Sequence, residues 1–137
     1  MSIPLHEIGR LIKLLQYRNH RSLDQRFSQI GTTLAQWDAL RAVGGHPGAS
    51  SHDLAERTFQ TDQSFGALAV NLVDKGMITR TPGKGRMLSH VITDHGRDVL
   101  EKGNVIAQEF LQATFSPLNE TELAQFHAML VRLTGKS

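Results

Sequence analysis

The feature that most constrains this chain is a single interruption in an otherwise helical hydrophobic period. From Leu5 to Val73 the apolar residues recur at spacings of three and four, the mark of amphipathic helices. At Met77 the period changes. Met77–Thr81 and Arg86–Thr93 are short β-prone runs on either side of Pro82-Gly83-Lys84-Gly85, and this pattern predicts a hairpin with a loose tip. Helical spacing resumes after Thr93. The expected fold class is therefore mainly α with one small β-hairpin.

Start and stop signals divide the helical part. Leu5, Ile8, Ile12, Leu15, Leu23 and Phe27 predict one long helix that ends near Gly31. Thr33-Leu-Ala-Gln36 has the form of a capping box ahead of Trp37, Leu40 and Val43, and Gly44-Gly45-His46-Pro47-Gly48 stops that helix. Ser50, with Asp53 placed to return a bond, opens a short helix over Ser51–Arg57. Thr61 caps the next, whose buried stripe is expected to be Phe65, Leu68, Ala69, Leu72 and Val73, with Gly76 as its end. After the hairpin come a long helix through Val99, Leu100, Ile106, Phe110 and Phe115, and a last one opened by Asn119 and Glu122.

Composition excludes several functions. A chain of 137 residues with 39% hydrophobic and 20% charged residues suits one globular core. With no Cys there is no disulfide scaffold, thiol nucleophile or thiolate zinc site. The histidines show no short metal-ligand spacing, so no metal is expected. Ser50, His52 and Asp53 are triad residue types, but neighbours on one short helix cannot adopt triad geometry, and no Gly-x-Ser-x-Gly is present. The expectation is a protein that is not an enzyme and needs no cofactor. The first residues, interrupted by Glu7, Arg10 and Lys13, lack a signal-peptide core, and no window suits a membrane span, so a soluble cytoplasmic protein is expected.

Charge is informative only when resolved along the chain. The formal net charge is +2, yet Lys75, Arg80, Lys84 and Arg86 fall within Lys75–Thr93, a stretch with no acid. Just before it, two short helices separated by a tight turn, Ser51–Arg57 and Asp62–Lys75, fit a helix-turn-helix. The stripe opposite the buried side of the second helix is Gln63, Ser64, Gly66, Ala67 and Asn71. Small residues allow close approach to a groove, and Gln or Asn can bond an adenine edge at two points. A basic hairpin directly after such a helix is placed as a wing that reaches phosphates or a minor groove.

These residues resemble the multiple-antibiotic-resistance regulator (MarR) family of winged-helix transcription factors. Leu34-Ala-Gln-Trp37-Asp-Ala-Leu40 is similar to the family's second helix. Ser50-Ser-His-Asp53-Leu54-Ala55 is similar to the start of its third. Leu72-Val-Asp-Lys-Gly76-Met-Ile78-Thr-Arg80 resembles the passage into the wing, and Ile92-Thr93-Asp-His-Gly96 the opening of the fifth helix. One departure stands out: the family's wing usually carries Asp-x-Arg, whereas here Lys84-Gly85-Arg86 replaces the acid by a cation.

The resemblance implies a transcriptional repressor that binds a pseudo-palindromic operator on double-stranded DNA as a homodimer. It implies a winged lobe over 31–93 and a helical dimerisation region over 1–30 and 94–137. The DNA-binding residues expected are Ser50, Thr61, Gln63, Ser64, Ala67, Asn71, Arg80, Lys84 and Arg86. It also implies release by a small aromatic or phenolic effector, for which Tyr17, Arg18, Arg21 and Trp37 are the candidate lining, although a lone Trp on an apolar face is most often core. The alternative is a winged-helix module that binds protein and has no specific affinity for DNA.

Overall fold

The computed structural model describes residues 2–85 and 87–136, so Arg86 lies outside the described residues. The chain divides into two compact units, Met1–Ile106 and Ala107–Ser137.

In the first unit, helix α1 covers Leu5–Phe27 and continues as a 3-10 turn over Ser28–Ile30. Gly31, at φ 76°, then turns the chain into the left-handed region that a side chain resists. Leu23 and Phe27 at the end of α1 are buried, whereas Leu5, Ile8, Leu11, Ile12 and Leu15 are exposed. Helix α2 (Leu34–Gly45) begins where the Thr33 hydroxyl accepts the Gln36 N–H at 3.1 Å. The expected capping box is only half made. The Gln36 side chain is buried and accepts instead from the Thr32 hydroxyl at 3.0 Å and from Lys75 Nζ at 3.1 Å. A buried amide takes whichever donors satisfy it, and here those come from outside its own helix turn.

Helices α3 (Ser51–Arg57) and α4 (Asp62–Asp74) form the helix-turn-helix. Ser50 and Thr61 cap them, accepting from Asp53 N at 3.2 Å and Ser64 N at 3.0 Å. Gly76, at φ 72°, closes α4 as expected. Of the stripe expected to be buried, Phe65, Ala69 and Leu72 are in the core, Leu68 is half-buried and Val73 is exposed. Strands β1 (Ile78–Pro82) and β2 (Leu88–Ile92) pair antiparallel with Ile78 opposite Ile92, Arg80 opposite His90 and Pro82 opposite Leu88. Strand β1 starts and stops one residue later than expected from sequence, and β2 lies one or two residues inside its expected limits.

The core of this unit collects Phe27, Leu40, Val43, Leu54, Phe65, Leu72 and Ile78. Trp37 is 7% exposed and stacks on Phe27 with ring centroids 5.2 Å apart. Its indole N–H donates to Asn104 Oδ1 at 3.1 Å, which ties α2 to helix α5 (Asp94–Phe115). Gly103 lies under the indole, where a Cβ would overlap the ring. The start of α5 is held by Thr93, whose hydroxyl accepts from Gly96 N at 3.0 Å and donates to the Gly76 carbonyl at 2.6 Å.

In the second unit, helix α6 (Glu120–Thr134) opens with a complete capping box. Asn119 Oδ1 accepts from Glu122 N at 2.8 Å, and Glu122 Oε1 accepts from Asn119 N at 3.0 Å. Phe126 of α6 meets Phe115 at a centroid distance of 6.2 Å. Leu123, Met129, Leu130 and Leu133 are exposed. No helix among the described residues is long and apolar enough to cross a membrane.

Candidate nucleic-acid interface

Helix α4 has one side in the core and the other bare. Gln63, Ser64, Ala67 and Asn71 are exposed, and Gly66 between them has open space where a side chain would be. Thr61 is exposed at the head of this face. Ser50 is different: it is buried, with its hydroxyl occupied in capping α3. Ser64 is partly engaged too, donating to Gln60 Oε1 at 3.0 Å. Gln63 and Asn71 therefore remain as the amides on the face. What α4 presents is a shallow, uncharged edge of the kind that fits into a major groove.

An acid sits at the head of α4, and sequence reasoning did not register how it is offset. His52 Nδ1 lies 3.0 Å from Asp62 Oδ1, while its Nε2 lies 3.1 Å from Glu56 Oε1. A ring with a carboxylate on each nitrogen is best served by being protonated. The hydrogen bond that His52 donates to Asp62, then the charges of Asp62 and Glu56, hold the His52 pKa above the usual imidazole value. When protonated, this ring compensates the charge of Asp62 at the N-terminus of α4. An i,i+4 His–Glu pair is visible in sequence, but the Asp62 contact crosses the turn between two helices.

That turn contains a strained residue. Phe59 adopts φ 57°, in the left-handed region, and is 91% exposed. Placing a bulky residue there costs roughly 1–2 kcal/mol, and the exposed ring recovers nothing by burial. Phe59→Gly is expected to raise stability by about 1 kcal/mol, the relief of strain exceeding the extra entropy of glycine in the unfolded chain. A thermal melt in which the variant unfolds at or below the wild-type midpoint would contradict this reading of the turn.

The wing is less uniformly cationic at its surface than its composition suggests. Lys84 is exposed at the tip, and the turn is closed by Gly83 N donating to the Met87 carbonyl at 2.7 Å. Lys75, by contrast, is a tether. Its ammonium binds the Gly31 carbonyl at 3.2 Å and Gln36 at 3.1 Å, joining the end of α4 to the α1–α2 loop. Arg80 is half-buried, and its Nε–H donates to His90 Nε2 at 3.2 Å. His90 itself is 0% exposed. Its Nδ1 lies 2.9 Å from the Ala49 carbonyl and its Nε2 lies 3.3 Å from the Ser51 hydroxyl.

Tyr17, Arg18 and Arg21 come together in a groove of about 540 Å³ along α1 that Ser22 and Gln25 complete. Arg21 donates to the Tyr17 hydroxyl at 3.0 Å. Trp37 does not line this groove. It belongs to the core, with the Arg41 guanidinium 5.0 Å above its ring.

A capped helix pair, a bare polar stripe on the second helix and a following β-hairpin define a winged helix-turn-helix protein. Residues 30–87 match the sequence model of the MarR family. The chain is similar to the HTH-type transcriptional repressor Rv2887 of Mycobacterium tuberculosis, at 27% identity over 108 residues, 77% of this chain and 78% of that one. The solved structure of Rv2887 in complex with salicylic acid matches with a TM-score of 0.74 at 25% identity, over 96% of this chain and 97% of that one. A mutant MarR from Escherichia coli complexed with operator DNA has the same fold, with a TM-score of 0.85 at 22% identity over 96% of this chain and 99% of that one.

Proposed function

We propose that the protein is a transcriptional repressor that binds duplex DNA as a homodimer, with α4 in the major groove and the wing along the backbone. The observation that carries this reading is the bare, uncharged stripe of α4 next to a hairpin tip bearing Lys84. Gln63 and Asn71 are the base-reading residues, Thr61 and Ser64 frame the approach, and Ala67 leaves room for it. Arg80, Lys84 and Arg86 supply phosphate affinity. Ser50 contributes by holding α3 in place. The repressor function of Rv2887 supports the assignment, and regulation rather than catalysis is the activity it implies.

The exposed apolar rows of α1 and α6 support a homodimer. Segments 1–30 and 94–137 form its dimerisation region, and 31–93 the winged lobe. A pair of lobes related by twofold symmetry would meet two half-sites of a pseudo-palindrome. The groove at Tyr17, Arg18 and Arg21 offers a ring and cations to a small aromatic carboxylate, and the salicylic acid complex of Rv2887 supports an effector of that class.

Fluorescence anisotropy with random duplex DNA across a range of salt concentrations tests the central claim. The wild type should bind with a steep salt dependence, whereas a module that recognises only protein would show almost none. Arg86→Ala is expected to weaken binding to every sequence about tenfold at low salt and to reduce the salt slope by about one. Binding by the variant at wild-type strength would remove Arg86 from the interface.

A further inference from the structure

We propose that His90 is a positioning residue for DNA binding: it takes the Nε–H of Arg80 and so aims the rest of that guanidinium outward from the wing. The inference rests on the DNA-binding reading above and adds a residue that never reaches the nucleic acid.

A neutral imidazole has one ring nitrogen that donates and one that accepts. The Ala49 carbonyl can only accept, so the 2.9 Å contact requires His90 Nδ1 to carry a proton. In the neutral ring Nε2 is then an acceptor, and it faces donors: Arg80 Nε–H at 3.2 Å and the Ser51 hydroxyl at 3.3 Å. Every polar atom of the buried ring is satisfied by this one tautomer. The ring also meets Phe65 of α4 edge-on, with centroids 6.1 Å apart, and the His90 carbonyl accepts from Gly48 N at 2.9 Å. One side chain thus touches β1, the start of α3, the loop before it and the recognition helix.

What this does to Arg80 follows directly. An arginine on a β-strand has several rotamers, and ordering it on binding costs entropy. With Nε held, the guanidinium plane is set before DNA arrives. Its Nη groups, which have no other partner among the described residues, stay available for a phosphate. Among the described residues Arg80 is the charged group that faces the ring, with Ser51, Ala49 and Phe65 supplying the neutral remainder. Protonating Nε2 would set a donor against the Arg80 donor and a cation against a cation. Burial first, and the Arg80 charge in addition, hold the His90 pKa below the usual imidazole value, so the latch is closed at neutral pH. The linkage has a definite sign. A base whose folded pKa is depressed contributes its full stability above the unfolded value, and that stability falls as pH drops through that value toward the folded one.

Two substitutions separate the ring nitrogens. His90→Gln places an acceptor near the position of Nε2, whereas His90→Asn keeps a donor near Nδ1 and lacks reach to Arg80. Binding to a random duplex is measured by anisotropy at several salt concentrations between pH 8 and pH 5, with circular dichroism in the same buffers to confirm that each protein is folded. At neutral pH, Arg80→Ala and His90→Asn should each weaken binding about tenfold. The double variant should be no weaker than Arg80→Ala alone, and His90→Gln should bind near wild type. On acidification the wild type should lose affinity relative to His90→Gln. This is opposite to the gain expected from simply adding positive charge, which both proteins share. A folded His90→Asn that binds like wild type, or losses that multiply in the double variant, would overturn the proposal. If the wild type shows no salt-dependent binding, the DNA reading falls and takes this inference with it. If the wild type binds and only the His90 and Arg80 variants fail to differ from it, this inference alone is lost.

Discussion

Gly96→Ala is expected to lower stability by about 3 kcal/mol or more, near the upper end of what overpacking costs. The size of the effect runs against local propensity, because replacing glycine by alanine inside a helix usually gains up to about 1 kcal/mol. At Gly96 a Cβ would overlap the Met77 carbonyl oxygen and approach Ile92 Cγ1 to 2.9 Å. The carbonyl has no easy retreat, since it accepts from Thr93 N at 3.0 Å, and the Met77 N–H donates to Leu72 O at 2.9 Å. Relief would require separating the start of α5 from the end of α4, and with it the Thr93 bonds to Gly76 and Gly96. Gly66→Ala is the internal control, as nothing lies within 4 Å of its missing Cβ, and it should be neutral or stabilising. Equilibrium denaturation of both variants checks the pair. A Gly96→Ala protein as stable as wild type would mean that α5 is not joined to the wing junction in this way.

The second large effect concerns assembly. Replacing Leu11 and Leu15 together by Glu is expected to give a folded monomer whose affinity for a two-half-site operator falls by about 10²- to 10⁴-fold. Both residues are exposed on α1, far along the chain from Leu23 and Phe27, which anchor that helix in its own unit. Charges there disturb no core packing, so circular dichroism should stay unchanged. Sedimentation should shift from dimer to monomer, and binding to a single half-site should fall far less than binding to the paired site. A double variant that still sediments as a dimer would remove α1 from the dimer surface and require another face to hold the lobes together.

The same comparison of local and distant causes explains what was legible in the sequence. The limits of α3, the caps at Ser50 and Thr61, the stop at Gly76 and the hairpin after it were readable because each depends on residues within one turn of one another. The bare stripe Gln63, Ser64, Ala67 and Asn71 was readable because the position of Phe65, Ala69 and Leu72 in the core leaves only one opposite face. Lys75 was misjudged as part of the basic footprint, since its acceptors Gly31 and Gln36 are about 40 residues away in the chain. Trp37 was correctly suspected of being core, but Asn104 and Gly103, which define its site, belong to α5, five elements later.

By itself, then, the sequence determined the winged helix-turn-helix and the bare polar face of its second helix, because periodicity and capping are short-range. Only the tertiary structure decided that, among the described cations of this stretch, Lys75 and Arg80 are tied and Lys84 is exposed. It brought Arg80 to His90, Asp62 to His52 and the Met77 carbonyl to Gly96. Those pairings depend on packing between separate elements: burial favours the neutral ring at His90, whereas the neighbouring carboxylates favour the charged ring at the exposed His52.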